Sequence, residues 1–488
     1  MPKKIIIIGG GIAGLSAGCY ARMNGYDSEI FEMNPIAGGL CTGWKRKGYT
    51  FDGCVHWLVG SDPSSNYYPL WEEVGAVQGR KMVPIEYFTK VIDKAGRSFT
   101  VYTDPDKLRE EMLAIAPEDK KLINRIARDI KVLMRNEMPV NFTLKQLIPA
   151  VRSILMIYKY RMSIGELAEK FTNPLLKNFF IKGLDWGEMC SGFLLWTLAL
   201  MGSKKAAYPI GGSLEFIESI VKRYTGLGGS IHYKSKVSGI IIEDDKAVGI
   251  TLSDGSEHRG DIVISASDGH TTMFDWLKGK YNTKAVVDAY SKYTLFPPLV
   301  YVSLGIDSDY SHEPSSVNFE IKKPFHIGKD EITSLYLKNY NMDPTLMPPG
   351  KSIFIFMINA DFDYWQGLKE NRESYVAEKK RIADALIDNV TDLYPDFRDQ
   401  VEVIDVATPN TFVRYTGNWQ GSYEGWLMDR KSLMQRNLMT LPGLENFYQV
   451  GHWAAPGGGL PSGLITGRIA VKKICKKDGK RFVTSKPG

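Results

Sequence analysis

Long apolar runs are missing from this chain. No uncharged hydrophobic stretch reaches the roughly 18 residues that a membrane span needs. The longest, Cys190 to Gly202, suits a buried helix instead. Cysteine is scarce. The five (Cys19, Cys41, Cys54, Cys190, Cys475) have no metal-ligand spacing, and no metal site is expected. An odd count without a disulfide framework fits a reducing, cytoplasmic setting. Charge of one sign is not concentrated. A net +6 is too diffuse over 488 residues to argue for nucleic acid, and no DNA- or RNA-recognition module occurs. Hydrolase signatures are also lacking: there is no H-E-x-x-H, and no G-x-S-x-G in the context of a nucleophile elbow. No repeat appears at solenoid spacing.

What is present begins at Lys3. Two lysines and an apolar run imitate a secretory leader, but only four isoleucines precede the glycines, so a first strand is expected. Ile5 to Ile8 suit a strand of a parallel sheet, buried on both faces. Gly9, Gly11 and Gly14 then give G-x-G-x-x-G, followed by a helix slimmed by Ala17, Gly18 and Ala21. In such a motif the first glycine permits a tight turn. The second lets backbone approach a pyrophosphate, and the third lets helix pack closely on strand. The helix N-terminus presents free N–H groups to phosphate. Glu32 ends the next strand, 18 residues after Gly14, where a carboxylate can hold ribose hydroxyls. It would repel a 2′-phosphate, so NADP is excluded; these residues alone leave FAD and NAD open.

The length suggests two or three domains. Residues from about Asp106 to Gly202 read mostly as helices. Within them, Leu144 to Met162 carries Val151, Ile154, Leu155 and Tyr158 at helical spacing, with Lys145, Arg152 and Lys159 on another face. Pro149 suits its first turn. A basic amphipathic helix of this kind can lie in a membrane interface or on an ordinary protein surface. Tyr208 to Ser213 leads into a helix ending near Tyr224. A meander follows, with Asp244-Asp245 and Asp254-Gly255 as turns, and then the apolar strand Asp261 to Ala266. Residues 297–362 are strand-rich. A helix is expected over Glu373 to Tyr394, with Val376, Ala383, Leu386, Ile387, Val390 and Leu393 on its inner side. The aromatic run Phe412, Tyr415, Trp419, Tyr423 and Trp426 is punctuated by glycines and reads as a loop, either walling an apolar cavity or packed in the core.

Near the end, Asn446 to Trp453 is a strand entering Pro456-Gly457-Gly458-Gly459-Leu460-Pro461 and a further helix, a second glycine-rich turn. Beyond Cys475 the basic residues 476–488 are expected to fray.

Several of these residues together carry a family resemblance. Glu32 followed by Gly38-Gly39, then Phe51-Asp52 and His56-Trp57, and the C-terminal glycine turn, resemble the phytoene desaturase family of flavoenzymes. The His56-Trp57 version is more similar to its retinol saturase and carotenoid isomerase branches. Leu40 stands where desaturases and amine oxidases usually carry arginine. The resemblance implies an α/β fold: a Rossmann-type FAD-binding domain from 1–105, 205–275 and 440–475, with a mixed α+β substrate domain from 106–204 and 276–439. It implies FAD held by Gly9, Gly11, Ile12, Ala13, Gly14, Glu32, Gly38, Gly39, Leu40, Val237, Gly451, His452, Gly459, Leu460 and Pro461. Two nucleotide-binding turns suit one extended FAD better than NAD.

The chemistry implied is hydride transfer between flavin and a carbon–carbon bond of a polyene, retinoid or lipid, in either direction. A non-redox isomerase and a flavin-bearing lipid-binding protein without turnover are the alternatives. His56 is the catalytic candidate, because an imidazole can exchange a proton near neutral pH. Expected partners are an apolar substrate, an unassigned electron donor or acceptor and, through 144–162, the surface of a membrane.

Overall fold

Ile5 to Ile8 alternate between two cores, which is what a two-layered parallel sheet demands of its central strand. In the computed structural model, which describes residues 1–140, 147–183, 187–433 and 438–487, Ile5 and Ile7 pack with Leu15, Phe216 and Leu464. Ile6 and Ile8 pack on the other face with Val237, Ala247 and Met273. Each fully buried isoleucine stabilises the fold by about 1.5–3 kcal/mol. The sheet has five parallel strands, in the order Ser230–His232, Asp27–Phe31, Lys4–Ile8, Ile262–Ser265 and Phe447–Gln449. Its strands therefore come from both ends of the chain and from the middle.

Helix Ile12–Met23 and helix Gly459–Lys477 cross at small residues. A Cβ at Gly467 would stand 2.6 Å from the Ala13 carbonyl oxygen and 2.8 Å from the Ala17 nitrogen. Ser16 Oγ donates to the Leu464 carbonyl at 2.7 Å. The meander Val237–Glu243, Lys246–Leu252, Glu257–Arg259 covers the other face. Asp244 and Asp245 both have positive φ, as a two-residue hairpin turn requires.

A second sheet of seven strands runs Val401–Ala407, Leu299–Ile306, Ser352–Asn359, Asp330–Asn339, Ser316–Ile327, Tyr87–Ile92, Ser98–Tyr102. The last two come from the stretch expected to lie with the nucleotide domain; hydrogen bonding puts them here, beside Ser316–Ile327. Helices Pro105–Ile115, Lys120–Arg135, Leu147–Lys159, Pro174–Gly183 and the mostly buried Ser191–Gly202 build the helical part.

Three expectations are corrected. The helix Arg372–Thr391 buries Ala383, Leu386, Ile387 and Val390 but leaves Val376 exposed, and Leu393, past its end, is exposed too. Tyr375 takes the inward place instead, edge-on to Trp365 at 5.5 Å. The aromatic run is partly helical: Phe412 and Tyr415 lie in Pro409–Thr416, started by a Thr408 capping box with Pro409 in the first turn. The tail does not fray through 480–487. Val483 exchanges hydrogen bonds with the Asn24 side chain, Ser485 accepts from Arg223, and Lys486 pairs with Glu72 at 2.6 Å.

Candidate functional site

The first glycine turn is held by backbone. Gly9 has φ 95° and donates to the Phe31 carbonyl at 2.8 Å. A Cβ on Gly14 would collide with the Gly9 carbonyl, so helix Ile12–Met23 can start against the strand only with glycine there. Glu32 is buried. Its Oε2 accepts the N–H of Gly10 at 2.7 Å, and its Oε1 accepts from the Asn34 backbone and side chain at 2.8 and 2.9 Å. Gly38 and Gly39 fold back on this turn: Gly38 donates to the Gly10 carbonyl at 2.9 Å. Leu40 follows, and its carbonyl accepts from Thr42 at 2.9 Å. Ser235 donates to the Glu32 carbonyl at 2.8 Å, which brings the start of strand Val237–Glu243 to the same edge.

The second glycine turn meets the first. Gly451 faces Ala13, where a Cβ would have ordinary contact at 3.5 Å. Gly463, one turn into the last helix, packs on Ile12 and on the Ala13 nitrogen. Gly457, Gly458 and Gly459 all have positive φ, a run that side-chain-bearing residues would strain. Leu460 and Pro461 open the helix. His452, in the turn after Gly451, is half-buried, and its buried Nε2 has no partner among the described residues. Burial lowers its pKa to about 4.

From Gly457–Pro461 opens a cavity of about 660 Å³, within the range of ligand sites. Trp57, Phe88, Phe193, Trp196, Phe296 and Met357 give it apolar walls. His56 lies in the wall. Its turn is fixed by Asp52, whose Oδ1 accepts from the Cys54 and Val55 N–H groups at 2.9 Å each and from Ser213 Oγ at 2.6 Å. The His56 Nε2 is also buried without a partner among the described residues. Burial, then the charge of nearby Lys338, pushes its pKa down to about 3. A ring so held is neutral at neutral pH and offers a hydrogen bond rather than a mobile proton.

The structure thus brings Gly9, Gly11, Gly14, Gly38, Gly39, Ala13 and Gly451 together, with Gly459 in the cavity lining one helical turn before Gly463, which packs on Ile12 and Ala13. It sets Glu32 and Val237 at one end of that line and His56 at the cavity end.

These residues fit FAD. Gly11 and Gly39 leave a cradle: a Cβ on either would meet nothing nearer than 3.6 Å. Two buried imidazole nitrogens, on His56 and His452, want partners.

Residues 12–475 match the family described as flavin containing amine oxidoreductase. The chain belongs to that family. It is a flavoprotein oxidoreductase, and bound FAD supplies a hydride acceptor or donor. The flavoprotein is 24% identical over 503 residues to prolycopene isomerase 1, chloroplastic, of an Oncidium hybrid cultivar, covering 96% of this chain and 83% of that protein. It is 23% identical over 520 residues to the lycopene-forming phytoene desaturase of a Paracoccus species, covering 98% of each. Its fold is shared by the crystal structure of an oxidoreductase from Methanosarcina mazei, at 20% identity and a TM-score of 0.60, covering 96% of this chain and all of that one.

Two residues near the cavity escape sequence reasoning. Lys338, on strand Asp330–Asn339, does not line the cavity but is buried close enough to act on His56 by its charge, and burial, opposed by the Asp52 charge, lowers its own pKa to about 8. Glu424 lines the cavity, and burial raises its pKa to about 7. Their only signals were a lysine after Leu337 at the end of a strand and one acid inside an aromatic, glycine-rich run.

Proposed function

We propose that this flavoprotein saturates or desaturates a carbon–carbon bond of an apolar polyene, retinoid or related lipid. One observation carries the reading: an aromatic-walled cavity of about 660 Å³ that ends on the second glycine turn. Such a cavity takes an elongated apolar molecule, strips it of water and sets it against the cofactor's end of the site. In this reading Gly9–Gly14, Gly38–Leu40 and Gly459–Pro461 hold the FAD pyrophosphate and ring, Glu32 the ribose, and the Val237 backbone the adenine. His56 and His452 then hydrogen-bond within the site as neutral rings.

The test is anaerobic. A polyene panel added to oxidised holoenzyme bleaches the flavin if the enzyme desaturates. The same panel reoxidises reduced flavin if it saturates. Failure of every polyene in both directions would remove the reading.

The Oncidium relative, named an isomerase, favours a second reading: cis–trans isomerisation with no net flavin turnover. Changed double-bond geometry at constant flavin colour marks it, and no change in either marks a lipid-binding protein.

We also propose that substrate enters from a membrane surface. Helix Leu147–Lys159 turns Ile148, Val151, Ile154, Leu155 and Tyr158 outward, and buries Ala150 and Ser153 instead. Ile154 and Tyr158 also line the cavity, so its mouth lies at this apolar face. Among the described residues no helix is long and apolar enough to cross a bilayer. Residues 144–146 of the expected amphipathic stretch, Lys145 included, lie outside the described residues.

A further inference from the structure

A carboxyl group is out of place in an apolar cavity, because the ionised form loses its hydration there. Glu424 nonetheless lines this one. The bend that carries it is pinned on both sides. Tyr423 OH donates to the Gly53 carbonyl at 2.8 Å, which ties Glu424 to the turn carrying His56. The Phe296 N–H donates to the Gly425 carbonyl at 2.8 Å. The carboxyl itself reaches the second glycine turn: a Cβ on Gly458 would lie 2.6 Å from Glu424 Oε2. The glycine leaves the space that the carboxyl takes. Among the described residues no hydrogen bond or ion pair holds this group. Neither packing nor a structural network explains an acid at this place.

We propose that Glu424 is the group that carries the proton at the flavin end of the cavity. The proposal rests on the reading of function above and adds the missing half of its chemistry. In desaturation, one carbon loses a hydride to the flavin. Its neighbour loses a proton to the Glu424 carboxylate, and the electron pair left behind becomes the second bond of C=C. In saturation the carboxylic acid returns that proton as the hydride arrives at the adjacent carbon. Atoms and electrons balance with flavin as the only redox partner in the step.

The environment suits the task. Burial raises Glu424 to about 7, so both protonation states are populated near neutral pH. His56, held near 3, cannot share the role there. The titratable groups facing Glu424 do not compete. Cys54 is raised by its hydrogen bond with Cys41, then by burial, and Tyr423 is raised by burial. Both stay neutral in this range.

The test uses FAD-loaded wild type, Glu424→Gln and Glu424→Asp. In a titration from pH 5 to 9, the flavin absorbance of wild type is expected to show one ionisation near 7 that Glu424→Gln lacks and Glu424→Asp keeps. With phytoene in detergent micelles, anaerobic flavin reduction is expected to slow about 100-fold or more in Glu424→Gln and to lose its pH dependence, with Glu424→Asp partly restored. Identical titrations in wild type and Glu424→Gln would overturn the proposal, as would an unchanged reduction rate. If phytoene and the wider panel react with none of the three, the reading of function falls; the absorbance titration still decides Glu424 by itself. If Glu424→Gln does not fold, the absence from wild type of any ionisation near 7 overturns it.

Discussion

The N–H of Gly10 donates to Glu32 Oε2 at 2.7 Å, so the residue expected to grip ribose also fastens the first glycine turn. Glu32→Ala leaves that buried donor without a partner. A loss of about 1–3 kcal/mol is expected from the unsatisfied N–H alone. FAD retention after gel filtration should fall with it. Glu32→Gln keeps an acceptor and should lose less stability. Unfolding of FAD-free protein separates the two effects; an alanine variant as stable as wild type would show that the turn stands without the carboxylate.

Gly467 is where the helices carrying the two glycine turns touch. A Cβ there meets backbone, the Ala13 oxygen at 2.6 Å and the Ala17 nitrogen at 2.8 Å, and backbone cannot swing aside. Gly467→Val should therefore cost about 1–3 kcal/mol or more by overpacking. It should also lower FAD content, since the turns move apart together. A variant with wild-type melting temperature and full flavin content would contradict the packing described.

The legible parts of this fold are those where geometry dictates residue type. Positive φ at Gly9, Gly38 and Gly459, and the close contact at Gly14, leave little choice but glycine, so both turns could be read from spacing. Ile5 to Ile8 announced a two-faced strand in the same way. Glu424 and Lys338 could not be found so, because a cavity wall and the buried charges behind it are assembled by tertiary packing between residues far apart in sequence. The helix Pro409–Thr416 was readable from Thr408-Pro409, but the glycines after it carried more weight. The docked tail depends on Asn24, Glu72 and Arg223, which composition does not connect to residues 480–487.

Acid should unfold the FAD-free protein through its buried histidines. His452 is lowered by burial from 6.5 to about 4, and His56 by burial and Lys338 from 6.5 to about 3. Between 6.5 and those values the unfolded chain binds more protons than the folded one, so stability is full above 6.5 and falls as pH drops. Glu424, raised by burial from 4.5 to about 7, opposes this, since its folded form binds the extra proton in that range. The two histidines together lose more over this range than Glu424 returns; the buried Asp52 and Asp268, also raised by burial, act in the same sense as Glu424. Going from pH 7 to 5, His452 alone should contribute about 2 kcal/mol of that loss. Denaturant unfolding at both pH values checks it against His452→Gln, which should shed that much of the slope. Equal slopes would mean that the ring is not buried neutral.

Binding to vesicles should depend on the outward face of Leu147–Lys159. Ile148 and Leu155 are 64% and 62% exposed on it, beside Arg152. No ion pair consumes Arg152 among the described residues, whereas Lys159 is held by Asp129 at 2.5 Å. Insertion of the face would bury these side chains in the acyl boundary, with about 1.5–3 kcal/mol from each fully buried one. Replacing both by glutamate removes that gain and sets two like charges against an anionic surface. Sedimentation with vesicles containing anionic lipid should then show affinity down by roughly 100-fold or more. The variant should fold normally, since neither side chain contributes to the core. Raised salt should weaken wild-type binding only modestly, because apolar burial carries most of the energy. Undiminished binding of Ile148→Glu/Leu155→Glu would place the membrane contact elsewhere. Binding that vanished in salt alone would make it a matter of charge rather than of this apolar face.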